Sequence, residues 1–129
     1  MSIPDLMAAL QTGIAFHRAG RLDEAEHAYR GVLRTNSTNV DALHLLGVLH
    51  RARGDPLAAT ELIGQALRQA PAFAEAHANF GNALVDLERF DEAAAAYSRA
   101  LDLDPGRADI RHKLIVALKI ASDHHLAGC

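Results

Sequence analysis

One cysteine, Cys129, is all the thiol chemistry the chain carries. It excludes an internal disulfide framework and fits a reducing, cytoplasmic compartment. Aromatic residues make up only 5% of the sequence, a level that suits closely packed helices rich in alanine and leucine better than a β-sandwich. Positive charge is not in excess: 13 Lys and Arg stand against 16 Asp and Glu, for a net charge of -3. The cations are scattered rather than clustered. The basic stripe of a nucleic-acid binder is therefore missing, and so is a footprint for an anionic membrane. No apolar run reaches membrane-spanning length, and the opening residues from Met1 to Asp5 lack the basic stretch of a secretion signal.

What is present is periodic. Gly13, Gly47 and Gly81 are spaced by 34 residues, and the same step links Ala25, Ala59 and Ala93. Leu33, Leu67 and Leu101 repeat it, as do Pro71 with Pro105 and the large residues Tyr29, Ile63 and Tyr97. A shared period across independent columns marks a stack of like units. Within one unit the columns fit a helix-turn-helix hairpin. A mid-helix glycine costs about 1 kcal/mol against alanine, a cost that makes sense where a second helix comes close. The small alanine column, in the following helix, is the expected surface to meet it, with Tyr29 and Tyr97 filling the space beside the contact. Ala19, Gly20 and Arg21 form one turn signal, and Arg53, Gly54, Asp55 and Pro56 another, with Asp55 as N-cap and Pro56 at the first helical position.

The pattern predicts seven helices and no strand: 3–19, 22–34, 40–52, 56–69, 74–87, 90–102 and 108–121. Ser2 caps the first, with Asp5 answering three residues on. Residues 122–129 read as a flexible tail. The whole chain reads as one repeat domain, with repeats at 6–39, 40–73 and 74–107 and a C-terminal helix at 108–121.

These columns resemble the tetratricopeptide-repeat family, over about residues 6–121. The match is tightest at 74–105, and that stretch is also similar to bacterial arrays found ahead of O-GlcNAc-transferase-like glycosyltransferase domains. Three places depart from the pattern: Ser37 in the proline column, His50 where an aromatic is usual, and Glu88 where Gly20 and Gly54 make turns, which implies a slightly strained turn. The resemblance implies an all-α, right-handed α-solenoid of three hairpins plus a capping helix, acting as a scaffold for protein binding. It further implies that first helices line a concave groove. The peptide-binding places would be Leu10 and Ile14, then His44, Leu45 and Val48, then Asn79 and Asn82, then Lys113, apolar at the start and polar at the end. Asn79 and Asn82 share a helix face, and an amide both donates and accepts, so the pair can grip the main chain of an extended peptide. The plainer alternative is two solvated polar residues.

Two subfamilies can be tested against these residues. The carboxylate clamp of chaperone-tail binders would fall on Leu10, Ile14, Leu45, Glu75 and Asn79, or one repeat along on His44, Val48, Asn79, Asp109 and Lys113. Neither set suits an anion. The asparagine ladder of the transferase arrays would fall on Gln11, Leu45, Asn79 and Lys113, with one true rung.

Catalysis and metal binding lack their usual patterns. Eight histidines are dispersed over different repeats and do not converge at zinc-ligand spacing. No phosphate loop or nucleophile elbow occurs, and no cofactor is expected. The acid pairs Asp23-Glu24 and Asp91-Glu92 open second helices, where they complement the helix dipole. The expected partner is a protein or peptide of unspecified identity. A severed array from a glycosyltransferase-like enzyme and a self-assembling unit are the alternatives. The last arises because the register past Arg107 puts Ile115 in the glycine column and Leu118 in the column of Phe16, His50 and Leu84. Ile110, Leu114 and Ala117 should pack back on the third repeat. Ile115 and Leu118 then face the place of a missing second helix, to be covered by a homodimer contact or by the folded-back tail.

Overall fold

A computed structural model describes residues 2–127, with Leu126 and Ala127 as backbone only. Among the described residues there are seven helices and no strand: α1 (Ile3–Arg18), α2 (Leu22–Thr35), α3 (Val40–Ala52), α4 (Pro56–Gln69), α5 (Ala74–Asp86), α6 (Phe90–Leu103) and α7 (Ala108–Ala127). Two compact units divide them, Met1–Ala70 and Pro71–Cys129. The first holds the hairpins α1/α2 and α3/α4, and the second holds the hairpin α5/α6 with α7 packed on α6.

Local chemistry starts several of the helices. The Ser2 hydroxyl accepts from the Asp5 amide while the Asp5 carboxylate accepts from Ser2, the reciprocal box expected at an N-terminus. Asp55 accepts from the Ala58 amide at 3.1 Å with Pro56 opening α4. Asn39 does the same for α3 through Ala42 at 2.9 Å, a cap that its sequence context did not single out. Helices α2 and α6 have no side-chain cap; an i,i+3 ion pair closes the first turn instead, Arg21 with Glu24 and Arg89 with Glu92, each at 2.6 Å. Glu24 and Glu92, which complement the dipole, are thus also tethered.

The turns inside the three hairpins share one backbone geometry. Gly20 has φ +78°, Gly54 +83° and Glu88 +59°. Only the third is a residue with a Cβ, and it bears the steric penalty of the left-handed region.

The glycine column meets the large column. A Cβ added at Gly13 would lie 2.5 Å from the Tyr29 ring, at Gly81 2.6 Å from the Tyr97 ring, and at Gly47 2.6 Å from Ile63. The alanine column lies buried beside these contacts, with Ala25, Ala59 and Ala93 all at 0% exposure, and the Ala59 carbonyl comes within 3.2 Å of the Gly47 position. Each glycine makes room for one bulky side chain that lies fully or almost fully buried. Around these contacts the first unit gathers Leu10, Ala25, Val32, Ala42, Leu46 and Leu49. The second gathers Leu84, Ala93, Ala100, Ile110 and Ala117.

Helix α7 departs from the sequence reading. Ile110 and Ala117 are buried and Leu114 is packed against the same core, as expected. Residues 122–127, read as a flexible tail, instead continue the helix. They do not fold back over Ile115, which stays 60% exposed. His124 sets its ring edge-on to Phe90, centroids 5.1 Å apart, and so ties the added turns to the start of α6. Gly128 and Cys129 lie outside the described residues.

Two stability outcomes follow from these backbone facts. Gly47→Leu places a branched side chain where even a Cβ collides with Ile63, and urea denaturation should show a loss of ~1–3 kcal/mol or more; a variant as stable as the parent contradicts the close approach. Glu88→Gly relieves the left-handed strain and should raise stability by up to ~1 kcal/mol, and a measured loss would mean the Glu88 side chain contributes more than its backbone strain costs.

Candidate functional site

The expected groove residues separate into two kinds. In the first unit Leu10 belongs to the core at 8% exposure, and Ile14 and Leu45 are half-buried against it. His44 is 6% exposed and Val48 half-buried. Leu10 and His44 are therefore largely buried and have little side-chain surface exposed. Met7, on the same helix as Leu10, is exposed instead.

In the second unit the polar residues come together. The Tyr97 hydroxyl of α6 donates to Asn82 Oδ1 at 2.7 Å, and Lys113 Nζ of α7 donates to the same oxygen at 3.1 Å. Asn82 Nδ2 points to Asn79 Oδ1 at 3.4 Å. Lysine can only donate, so the amide is oriented with its oxygen inward and its NH2 toward Asn79. Three helices converge on one amide. Asn82 Oδ1 thus accepts twice and one N–H of its amide is directed to Asn79, which leaves a single N–H, while Lys113 adds an exposed ammonium. The expectation that an asparagine both donates and accepts toward a peptide is thus narrowed at Asn82 to donation.

The first repeat lacks this arrangement. Tyr29 holds the place of Tyr97, but Ile14 holds the place of Asn82, and among the described residues the buried Tyr29 hydroxyl finds no hydrogen-bond partner. Burial pushes its phenol above the ordinary tyrosine range, offset slightly by Arg18. One hydroxyl sits in a network and its equivalent in an apolar core.

Arg107 fixes the frame around the polar cluster. Its guanidinium grips Asp109 through two nitrogens at 3.0 and 2.9 Å and reaches Glu75 on α5 at 2.8 Å. The hydrogen bonds from Arg107 hold the Asp109 carboxyl down at about 2. Because that pKa is lowered, the clamp is intact above the ordinary carboxylate value of 3.8 and is lost as the pH falls toward 2. Two further histidines are engaged locally: His77 with the Pro71 carbonyl at 2.8 Å, and His50 beside Arg30 at 3.4 Å. Among the described residues no three His, Cys, Asp or Glu side chains gather as metal ligands, and no helix is long and apolar enough to cross a membrane.

Helical hairpins with this 34-residue step and this glycine contact define a class of repeat scaffold. The tetratricopeptide-repeat profile matches residues 10–63 and 44–108, and the chain belongs to that family. It is 35% identical over 121 residues to the Cellulose synthase 2 operon protein C of Komagataeibacter xylinus, covering 92% of this chain and 9% of that protein. Among solved structures it is similar to a Thermobaculum terrenum O-GlcNAc transferase mutant, with TM-score 0.84 and 32% identity over 92% of this chain and 23% of that one. It also shares its fold with the first TPR of Spaghetti (RPAP3) bound to the HSP90 peptide SRMEEVD, at TM-score 0.89 and 17% identity, covering 95% and 97% of the two chains. This chain therefore spans a small part of the two relatives closest to it in identity among these three.

A paired substitution tests the asymmetry between the two tyrosines. Tyr97→Phe should cost ~1 kcal/mol by removing the bond to Asn82, whereas Tyr29→Phe should be neutral or stabilising because it removes a buried hydroxyl without a partner. Equal losses in thermal or urea unfolding would show that the Tyr29 hydroxyl is satisfied.

Proposed function

We propose that this chain is a non-catalytic interaction module that holds a peptide or protein segment against its first helices, in the groove such helices form in its family. The observation that carries the reading is the oriented amide of Asn82, flanked by Asn79 and Lys113. The amide N–H that is not given to Asn79, together with the Lys113 ammonium, suits the main-chain carbonyls of an extended segment, which are present whatever the sequence. In the first unit, Ile14, Leu45 and Val48 supply apolar contact on the corresponding helices. The structure of a related fold with a bound HSP90 peptide supports peptide binding as a use of this architecture. A cytoplasmic location, argued from the single cysteine, belongs to the same proposal, as does self-association through Ile115 and Leu118.

A second reading has its own support. The 32% identity to an O-GlcNAc transferase, of which this chain covers 23%, favours a repeat segment that serves a larger enzyme. The reading frame around this sequence decides it: a glycosyltransferase domain encoded in the same frame supports that role, and its absence removes it.

The binding surface is tested with Asn79→Ala combined with Lys113→Ala, since Asn82→Ala would also strip Tyr97 of its acceptor and destabilise the fold. Partners captured from an extract of the source cells by the parent chain should be retained at least ~10-fold less by the double variant, a change of about 1.4 kcal/mol, with the melting temperature little altered. Equal capture would move the binding surface off this face.

A further inference from the structure

The Asn82 amide is held by two partners of unlike kind. Tyr97 lies 2% exposed on α6, and its ring is wedged against Gly81, where an added Cβ would fall 2.6 Å from it. That contact fixes the ring, and with it the place of the hydroxyl that donates to Asn82 Oδ1 at 2.7 Å. Lys113 donates to the same oxygen at 3.1 Å from the end of an exposed, flexible side chain on α7. Its ammonium carries three donors and can turn to another acceptor; the phenol, confined by packing, cannot. If Lys113 alone held Asn82, its departure would leave a half-buried oxygen without a partner, and the amide would be free to turn over. With Tyr97 in place the oxygen stays paired and the NH2 stays directed to Asn79.

We propose that Tyr97 is a positioning residue for the binding face: from the second helix of its hairpin it holds the Asn82 amide still while Lys113 turns away to take an acceptor oxygen of the bound segment. This rests on the reading of Asn79, Asn82 and Lys113 as that face. The arrangement is particular to the third repeat. The residue after each hairpin glycine is Ile14, Val48 and Asn82 in turn, and the large residue that follows it by 15 places is Tyr29, Ile63 and Tyr97. The first repeat has the hydroxyl but no side-chain acceptor at that place, and among the described residues the Tyr29 hydroxyl finds no partner. The second repeat has neither group. Only where tyrosine and asparagine occur together does the glycine contact, which elsewhere spaces two helices, also orient a polar group of the binding face.

The side-chain NH2 signals of Asn82, read by nuclear magnetic resonance in the isotope-labelled full chain, report the amide directly. Lys113→Ala should shift them little and leave them sharp. Tyr97→Phe keeps the ring and removes only the hydroxyl; it should move and broaden the pair as the amide turns over. Tyr29→Phe, the same change in the first repeat, should leave the Asn82 pair where it is. For binding, the probe is the set of proteins that the parent captures from an extract of the source cells. Tyr97→Phe should retain them at least ~5-fold less, the size of one lost hydrogen bond, at a temperature where its helical circular dichroism is intact. Tyr29→Phe should retain them as the parent does. Asn82 signals unmoved by Tyr97→Phe, or moved as far by Lys113→Ala, overturn the positioning role. So does an equal loss of capture in Tyr29→Phe, which would make the effect one of stability, and so does full capture by Tyr97→Phe where Asn79→Ala with Lys113→Ala has lost it. Undiminished capture by that double variant overturns the binding face itself, and the two failures are thus told apart.

Discussion

Each hairpin is organised by a missing atom. Where Gly13, Gly47 and Gly81 lack a Cβ, the side chains of Tyr29, Ile63 and Tyr97 take the space, and a methyl group there would fall within 2.5–2.6 Å of them. Interiors packed to crystal-like density cannot absorb such an overlap without moving helices. Glycine in mid-helix is unfavourable by itself, so the large residue opposite must return more than the glycine costs. Burying an aliphatic side chain of the size of Ile63 contributes on the order of 1.5–3 kcal/mol, and the tyrosines present still larger apolar surfaces. With the pair in place, the spacing of the two helices is set. The left-handed turn between them, and the residues that meet in the core, follow from that spacing.

The same contact explains what was legible in the sequence. A glycine and a bulky residue at a constant separation, repeated every 34 residues, can be read without coordinates because both are constrained by one steric fit. Helix ends were legible for a related reason: Asp55-Pro56 and Ser2 with Asp5 carry their capping chemistry locally. The first six helices end within one residue of the sequence reading. Helix α7 was misread past Ala121 because no glycine or proline marks a continuation or a stop there. The pairing of His124 with Phe90 that anchors it joins residues far apart in sequence.

The candidate site was only partly legible. Asn79 and Asn82 could be placed on one face from their spacing. That Asn82 answers a tyrosine on α6 and a lysine on α7 required three helices in space. His44 and Leu10, placed on the groove by resemblance, are largely buried. A position implied by family resemblance says which way a helix face points, but core packing decides how much of a side chain remains outside. One family pattern thus yields an apolar, largely covered face in the first unit and an oriented set of donors in the second. Any preference for one partner over another is built on such differences, because the backbone scaffold is common to the family.

A double-mutant cycle between Gly81 and Tyr97 measures the organising contact most directly, because the three atoms nearest the Gly81 position all belong to the Tyr97 ring. Four proteins are compared in urea: the parent, Gly81→Ala, Tyr97→Ala and the combination. If the glycine exists to admit the ring, Gly81→Ala destabilises the parent. In the Tyr97→Ala background the same change should stabilise by about 1 kcal/mol, the ordinary helix preference of alanine over glycine. A Gly81→Ala effect of the same sign and size in both backgrounds would show that the two residues are not coupled, and would contradict the central role assigned to the glycine contact.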